Sequence, residues 1–154
     1  MLAQVAASAA LRSLKHMDIV SPEKRSRMMS GIRGKNTRPE LLVRSIAHRL
    51  GLRFRLHVKE LPGRPDLVFP RHRTALFVHG CFWHRHDCPL AAVPGTRTDF
   101  WLAKFAANVE RDRRCRLALE GQGWRVLEIW ECETRRPGAV EQRLKDHFRP
   151  ESAA

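Results

Sequence analysis

The sequence predicts an α/β domain with a central mixed β-sheet flanked by helices. The predicted elements follow the order helix, helix, three strands, helix, strand, helix, and 154 residues suffice for one hydrophobic core. We expect a single domain over residues 21–150, after a disordered extension (1–20) and before a polar tail (151–154). Residues 1–16 are alternatively a wrongly assigned start, because Met17 is a second possible start.

Capping signals predict two helices at the beginning of the domain. Ser21 followed by Pro22 is typical of an N-cap with proline at the first helical position. Thr37 and Glu40 have the spacing of a capping box, and the apolar residues that follow recur with helical periodicity up to Gly51. These apolar residues are Leu41, Leu42, Ile46, Ala47 and Leu50.

Three strands are predicted to follow the two helices. Apolar and basic residues alternate over residues 52–57, which indicates a strand with one basic, solvent-exposed face. The short apolar runs 66–69 and 75–78 predict a hairpin near the centre of the sheet. Because hairpin strands are antiparallel, we expect Asp66 to lie beside Val78 and His79.

The remaining elements are a long helix from Thr98 to about Glu120, a strand over residues 124–130 and a helix over residues 137–148. We expect Thr98 to cap the long helix. Its expected inward residues are Trp101, Phe105, Val109 and Leu117.

The charge of the chain indicates a polyanionic partner. The chain has 29 Lys and Arg residues against 16 Asp and Glu residues, a formal net charge of +13. Nucleic acid is the first candidate. A membrane partner is not expected, because the sequence has neither a basic amphipathic helix nor an apolar run long enough to span a bilayer.

Soft metal ligands are concentrated between His79 and Cys88. Cys81, His86 and Cys88 lie in this segment, and Cys132 is a possible fourth ligand downstream. Four such ligands form a closed tetrahedral zinc site, which would be structural. Clustered Cys and His in a chain without a convincing signal peptide also favour a reducing compartment, with the cytoplasm as the expected location.

Asp66 is the candidate ligand for a second, harder cation. Mg²⁺ takes oxygen ligands and keeps several waters, so one carboxylate, a backbone carbonyl and phosphate oxygens would suffice. His79 and His84 could then transfer protons or stabilise charge around a phosphate. The alternative is that Asp66 only caps a turn. His57 is expected to be a solvated surface residue, and Cys115 a buried, inert thiol.

Five ordered blocks of the sequence resemble the Vsr (very-short-patch-repair) DNA mismatch endonucleases. These blocks are residues 61–66, 79–84, 96–101, 108–114 and 124–132. The resemblance implies a restriction-endonuclease-like fold and a structural zinc ion. It also implies Mg²⁺-dependent nicking of one DNA strand at a T:G mismatch that arises from deamination of 5-methylcytosine.

The resemblance also implies roles for individual residues of the cleavage centre. Asp66 matches the Mg²⁺-binding aspartate, and the carbonyl of Val78 matches its backbone partner. His84 resembles the general base and His79 the histidine that flanks the phosphate. Glu40 matches a glutamate near the same centre.

Further matches concern zinc and DNA. The residues that match the zinc ligands are Cys81, His86, Cys88 and Cys132. Phe82, Trp83 and Trp101 resemble aromatic residues that wedge into the base stack beside the mismatch. Lys104 and Asn108, on neighbouring turns of the same predicted helix as Trp101, are candidate DNA contacts with them. The resemblance favours a monomer, with mismatch-repair factors as further partners.

Two other functions remain open from the sequence. The first is a restriction-like nuclease that cuts matched DNA. The second is an inactive zinc-containing DNA-binding module. The restriction-enzyme pattern of a second carboxylate and a lysine is missing, because Phe77, Val78 and His79 occupy that strand. The resemblance implies that the two histidines replace the lysine.

Overall fold

The computed structural model describes residues 21–31 and 34–150. Over these residues it contains a mixed four-stranded sheet with flanking helices, which confirms the predicted fold class. The expected N-terminal extension (1–20) and C-terminal tail (151–154) lie outside the described residues. No described helix combines the length and apolar character needed to cross a membrane.

The described residues form the following elements. The helices are α1 (Pro22–Ser30), α2 (Arg38–Arg49), α3 (Cys81–His84), α4 (Thr98–Gly121) and α5 (Pro137–Phe148). The strands are β1 (Arg55–Leu56), β2 (Leu67–Phe69), β3 (Thr74–His79) and β4 (Arg125–Trp130). Short 3₁₀ turns occur at Pro70–His72, Pro89–Ala91 and Glu133–Arg135.

The strand order is β1-β2-β3-β4. The β1–β2 and β2–β3 pairs are antiparallel, and β3–β4 is parallel, with His79 opposite Trp130. The beginning of β2 and the ends of β3 and β4 therefore meet at one edge of the sheet. Asp66, His79 and Cys132 are brought to this edge.

Both predicted N-caps are confirmed. The Ser21 hydroxyl accepts a hydrogen bond from the Lys24 N–H at 3.3 Å, and the Thr37 hydroxyl accepts one from the Glu40 N–H at 3.4 Å. The Glu40 carboxylate in turn accepts from the Asn36 N–H at 2.8 Å. The two hydroxyls thus satisfy helix N–H groups that have no partner within the helix.

The hydrophobic core lies between the sheet and the pair α2 and α5. Successive residues of a strand point to opposite faces, so Leu76, Leu127 and Ile129 face these helices while the residues between them face α4. The buried core residues are Val43, Ile46, Ala47, Leu67, Phe69, Leu76, Leu127, Ile129, Val140 and Leu144. Leu41, predicted on the apolar face of α2, is half exposed, and Val43 takes the buried place.

The predicted inward face of α4 is partly wrong. Phe105 and Leu119 are buried, but Val109 and Leu117 are 44% and 52% exposed. Phe105 and Leu119 are fourteen residues apart, about four turns, and share one side of the helix. Leu117 lies about a third of a turn from Phe105 and almost half a turn from Leu119. Thr98 does not act as an N-cap acceptor, because its hydroxyl donates backwards to the Pro94 carbonyl at 3.3 Å.

The first predicted strand is shorter than expected. Only Arg55 and Leu56 pair with β2, and both are exposed. The ladder ends because His57 adopts a left-handed backbone conformation with φ of 47°. Its N–H still donates to the Asp66 carbonyl at 3.3 Å. This turn brings the His57 side chain to the same sheet edge as Asp66.

Replacing the fully buried Leu76 with alanine should lower the free energy of unfolding by about 2–5 kcal/mol, because a cavity would remain in the core. Urea titration followed by tryptophan fluorescence measures the loss. The control is Leu117→Ala, at an exposed position of α4, which should change stability by less than about 0.5 kcal/mol. Equal losses in the two variants would contradict this description of the core.

Candidate functional site

A cleft of about 1130 Å³ opens at the sheet edge where the three strand ends meet. Asp66, Val78, His79 and His84 line it, together with residues of α4. Its basic lining residues are Lys35, Lys59, Arg64, Lys104, Arg111 and Arg116. Acidic and imidazole groups thus lie in a cleft with basic walls, an arrangement suited to a phosphate-containing ligand.

The hairpin brings Asp66 and Val78 together, as predicted. The Asp66 Oδ2 accepts a hydrogen bond from the Val78 N–H at 2.7 Å. Burial raises the pKa of Asp66 to about 6; this hydrogen bond opposes the rise, and the charge of Glu40 adds to it. A bound cation would favour the charged carboxylate, and oxygen donors are what hard divalent ions prefer. The donor set therefore fits a divalent metal ion.

The expectation that His57 is a solvated surface residue is wrong, because His57 lines the cleft. Its Nδ1 lies 3.9 Å from the Asp66 Oδ1, and its Nε2 lies 3.9 Å from the Glu40 Oε2. The ligand atoms of the three residues all lie within 4.8 Å of one another. The β1–β2 register, continued by one residue, places His57 opposite Asp66. That pairing is the signal that could have revealed His57.

Two histidines stack on each other beside Asp66. The rings of His79 and His84 have their centroids 4.1 Å apart and are inclined by 30°. The Nδ1 of His84 is hydrogen-bonded to the carboxylate of Asp112. His79 is buried, and its Nε2 lies 3.7 Å from the Glu128 Oε1. Each imidazole therefore has its own carboxylate partner. Neither carboxylate is among the site residues predicted from the sequence.

Glu128 is held in its charged form. His79 lowers the pKa of Glu128 to about 2; burial opposes this effect, and Arg116, 2.8 Å away, adds to it. A charged carboxylate favours a ring hydrogen on the facing His79 nitrogen. Arg116 and Glu128 thus anchor one side of the His79 ring.

The predicted zinc ligands form one cluster. The ligand atoms of Cys81, His86, Cys88 and Cys132 lie within 4.8 Å of one another. The His86 Nδ1 is 3.3 Å from the Cys132 Sγ and 3.9 Å from the Cys81 Sγ. A tetrahedral zinc ion with bonds of about 2.0–2.3 Å separates such ligand atoms by about 3.6–3.8 Å. The donors and their spacing therefore fit zinc.

The rings of the predicted DNA-contacting aromatic residues, Phe82, Trp83 and Trp101, contact one another and form an aromatic cluster. Phe82 and Trp83 lie on the short helix α3 rather than in a loop. The Phe82 ring makes edge contacts with Trp101 at 5.5 Å and Phe105 at 5.0 Å, whereas Trp83 lines the cleft.

Lys104 and Asn108 contact the same cluster. The Lys104 Nζ lies 5.5 Å from the centroid of the Trp83 ring, and the Asn108 side-chain amide donates to the Trp83 carbonyl at 3.1 Å. Both residues project from α4 and line the cleft. The predicted DNA-contacting residues are therefore adjacent in the fold.

Comparison with known proteins identifies the class. Residues 17–90 match the family model described as DNA mismatch endonuclease Vsr. The chain is 52% identical over 133 residues to the type II nicking enzyme V.XorIIP of Xanthomonas oryzae pv. oryzae, covering 86% of this chain and 98% of the relative. It is 48% identical to the DNA mismatch endonuclease Vsr of Escherichia coli, covering 77% and 76% of the two chains.

These matches define a DNA endonuclease, a hydrolase of phosphodiester bonds. The chain belongs to the Vsr DNA mismatch endonuclease family. Among solved structures, the catalytic domain of the homing endonuclease I-Bth0305I is similar in fold, with a TM-score of 0.53 at 20% identity over 73% of this chain and 95% of that domain.

Replacing Cys132 with serine should remove bound zinc, because three remaining ligands hold the ion more weakly than four. Elemental analysis of the purified protein should show the zinc-to-protein ratio falling from about one towards zero, and the thermal midpoint should fall. Cys115→Ser is the control, since Cys115 lies outside the cluster. Unchanged zinc content in Cys132→Ser would contradict the assignment.

Replacing Glu128 with glutamine should destabilise the protein near neutral pH and have less effect as the pH falls. The pKa of Glu128 is about 2 when folded, below its ordinary value of 4.5. Its charge therefore contributes stability fully above about pH 4.5, and this contribution is lost as the pH falls towards 2. Urea titrations across this range measure the difference between variant and wild type. A difference independent of pH would contradict the prediction.

Proposed function

We propose that the protein nicks one strand of duplex DNA at a T:G mismatch, the product of 5-methylcytosine deamination, by Mg²⁺-dependent hydrolysis. The observation that carries this proposal is the cleft, which Asp66, His79, His84 and Trp83 line together. An aromatic group beside a cleavage centre suits an enzyme that distorts a base pair and cuts the adjacent backbone.

Asp66 and the Val78 carbonyl are the proposed Mg²⁺ ligands. In an extended strand the N–H and C=O of one residue point to the same side, and the Val78 N–H points to Asp66. We therefore expect its carbonyl to face this side too. When bound, the ion supplies positive charge to the phosphate oxygens. Zinc at the Cys and His cluster would be structural, because four protein ligands leave no open position.

His84 is the proposed general base. Its Nδ1 is bound to Asp112, so with the hydrogen on Nδ1 the Nε2 has a free lone pair for a water proton. As the water oxygen bonds to phosphorus, the bond from phosphorus to the leaving sugar oxygen breaks. His79, held by Glu128, would stabilise negative charge on the phosphate.

The aromatic cluster would supply mismatch recognition. Phe82, Trp83 and Trp101 are proposed to enter the base stack, with Lys104 and Asn108 contacting DNA beside them. Unstacking one base step costs a few kcal/mol, and a mismatched pair is the least costly to open. The support for a mismatch substrate is the name of the Escherichia coli relative, a DNA mismatch endonuclease.

We further propose that the enzyme acts as a monomer in the cytoplasm and that mismatch-repair factors are its partners. A nuclease for matched DNA is the second candidate, because several relatives are named type II nicking enzymes. Duplexes of identical sequence carrying T:G, T:A or C:G at one position separate the two. Nicking of the T:G duplex alone, in the strand with the T, supports the proposal, and equal cleavage of all three contradicts it.

Replacing Asp66 with alanine should abolish nicking of the T:G duplex, and His84→Ala should slow it about 10²- to 10⁴-fold. Single-turnover assays in metal-free buffer with added Mg²⁺ measure the rates. Asp146→Asn removes an exposed carboxylate that does not line the cleft and should leave nicking unchanged. Electrophoretic mobility shifts should show DNA binding retained in every variant. Undiminished cleavage by Asp66→Ala would refute the mechanism.

A further inference from the structure

Arg44 and His57 lie beside Asp66 but have no part in the reaction described above. The Arg44 side chain, on α2, is only 13% exposed. Its Nη2 lies 3.2 Å from the Glu40 Oε2 and 2.9 Å from the His57 Nε2, and its Nη1 donates to the Asn36 Oδ1 at 2.8 Å. One guanidinium therefore binds three groups around the centre.

The contact between Arg44 and His57 determines which ring nitrogen carries the hydrogen. A guanidinium has only N–H donors, so the His57 Nε2 must accept, and the ring hydrogen is on Nδ1. This Nδ1 faces the Asp66 Oδ1 at 3.9 Å. The other Asp66 oxygen accepts from the Val78 N–H. Both oxygens of Asp66 thus face N–H groups, and His57 has no free lone pair to offer a metal ion.

Two features that lower the stability of the fold accompany this contact. His57 has a left-handed backbone, with φ of 47°, which non-glycine residues seldom adopt. The Arg44 Nε is buried and has no hydrogen-bond partner among the described residues. A buried donor without a partner lowers stability. Destabilising features of this kind are retained where the position of a side chain matters for function.

We propose that the Arg44 guanidinium supplies a fixed positive charge at the cleavage centre, and that Arg44 and His57 are positioning residues for Asp66. A guanidinium 3.2 Å from the Glu40 carboxylate repels a divalent ion at the same oxygen. Glu40 therefore binds Arg44 and is not a ligand of the metal ion. The inference deepens the proposed function and rests on it for the choice of Asp66 as metal ligand.

The first test uses the protein with zinc retained and no other divalent cation added, and it needs no activity. Histidine ¹⁵N NMR should show His57 with its hydrogen on Nδ1 in the wild type, and Arg44→Met should remove this preference. The control is Arg49→Met, at an exposed position of the same helix. Arg44→Lys should not restore the preference, because an ammonium lacks the planar fork. An unchanged His57 ring in Arg44→Met would overturn the proposal.

The second test measures Mn²⁺ binding by electron paramagnetic resonance, with zinc retained. Asp66→Asn should weaken binding by about tenfold or more, whereas Glu40→Gln should change it less than about twofold. A tenfold loss in Glu40→Gln would make Glu40 a ligand and overturn the proposal. If the wild type binds no Mn²⁺, the proposed function fails, while the NMR experiment still decides the pairing of Arg44 with His57.

The third test separates positioning from DNA contact. Arg44→Met should lower the single-turnover nicking rate about 10- to 100-fold, the usual range for residues that orient metal ligands. Its affinity for the T:G duplex should stay within about twofold of the wild type, because the Arg44 side chain is buried. A loss of DNA affinity as large as the loss of rate would overturn the positioning role.

Discussion

The register of the sheet is the constraint on which the site depends. Antiparallel pairing of β2 with β3 places Asp66 beside Val78, and parallel pairing of β3 with β4 places Cys132 beside Cys81. A shift of one residue would turn alternate side chains to the opposite face of the sheet. It would also move His79 from the cleft into the core. The buried faces of β3 and β4 therefore hold the residues of the candidate site in position and also stabilise the fold.

Helix α4 connects the aromatic cluster to the two histidine–carboxylate pairs. Trp101 and Phe105 pack against α3, Asp112 binds His84 about two turns beyond Phe105, and Arg116 binds Glu128 about one turn further along. Successive residues of this set are four, seven and four positions apart, so all of them lie on one side of the helix. A single rigid element thus sets the distance between the aromatic cluster and the two histidine–carboxylate pairs.

The parts of the fold that follow from local sequence rules were predicted, and the parts that need a partner from another element were not. The capped helix after Thr37, the hairpin and the cysteine and histidine cluster each carry a local pattern. Arg44 and His57, thirteen residues apart, meet only because β1 ends in a left-handed turn. On α4, apolar residues surround the helix, so periodicity could not tell exposed Leu117 from buried Leu119.

A continuous series of packed rings connects the zinc cluster to the cleavage centre. His86 stacks on Trp130 at 4.5 Å, Trp130 contacts His79 at 5.2 Å, and His79 stacks on His84 at 4.1 Å. Close-packed rings leave little room for one member to move independently. Because His86 belongs to the zinc cluster, a metal bound there would fix one end of the series, and Asp112 holds the other at His84. An ion bound there would thereby hold His84, the proposed general base, in place.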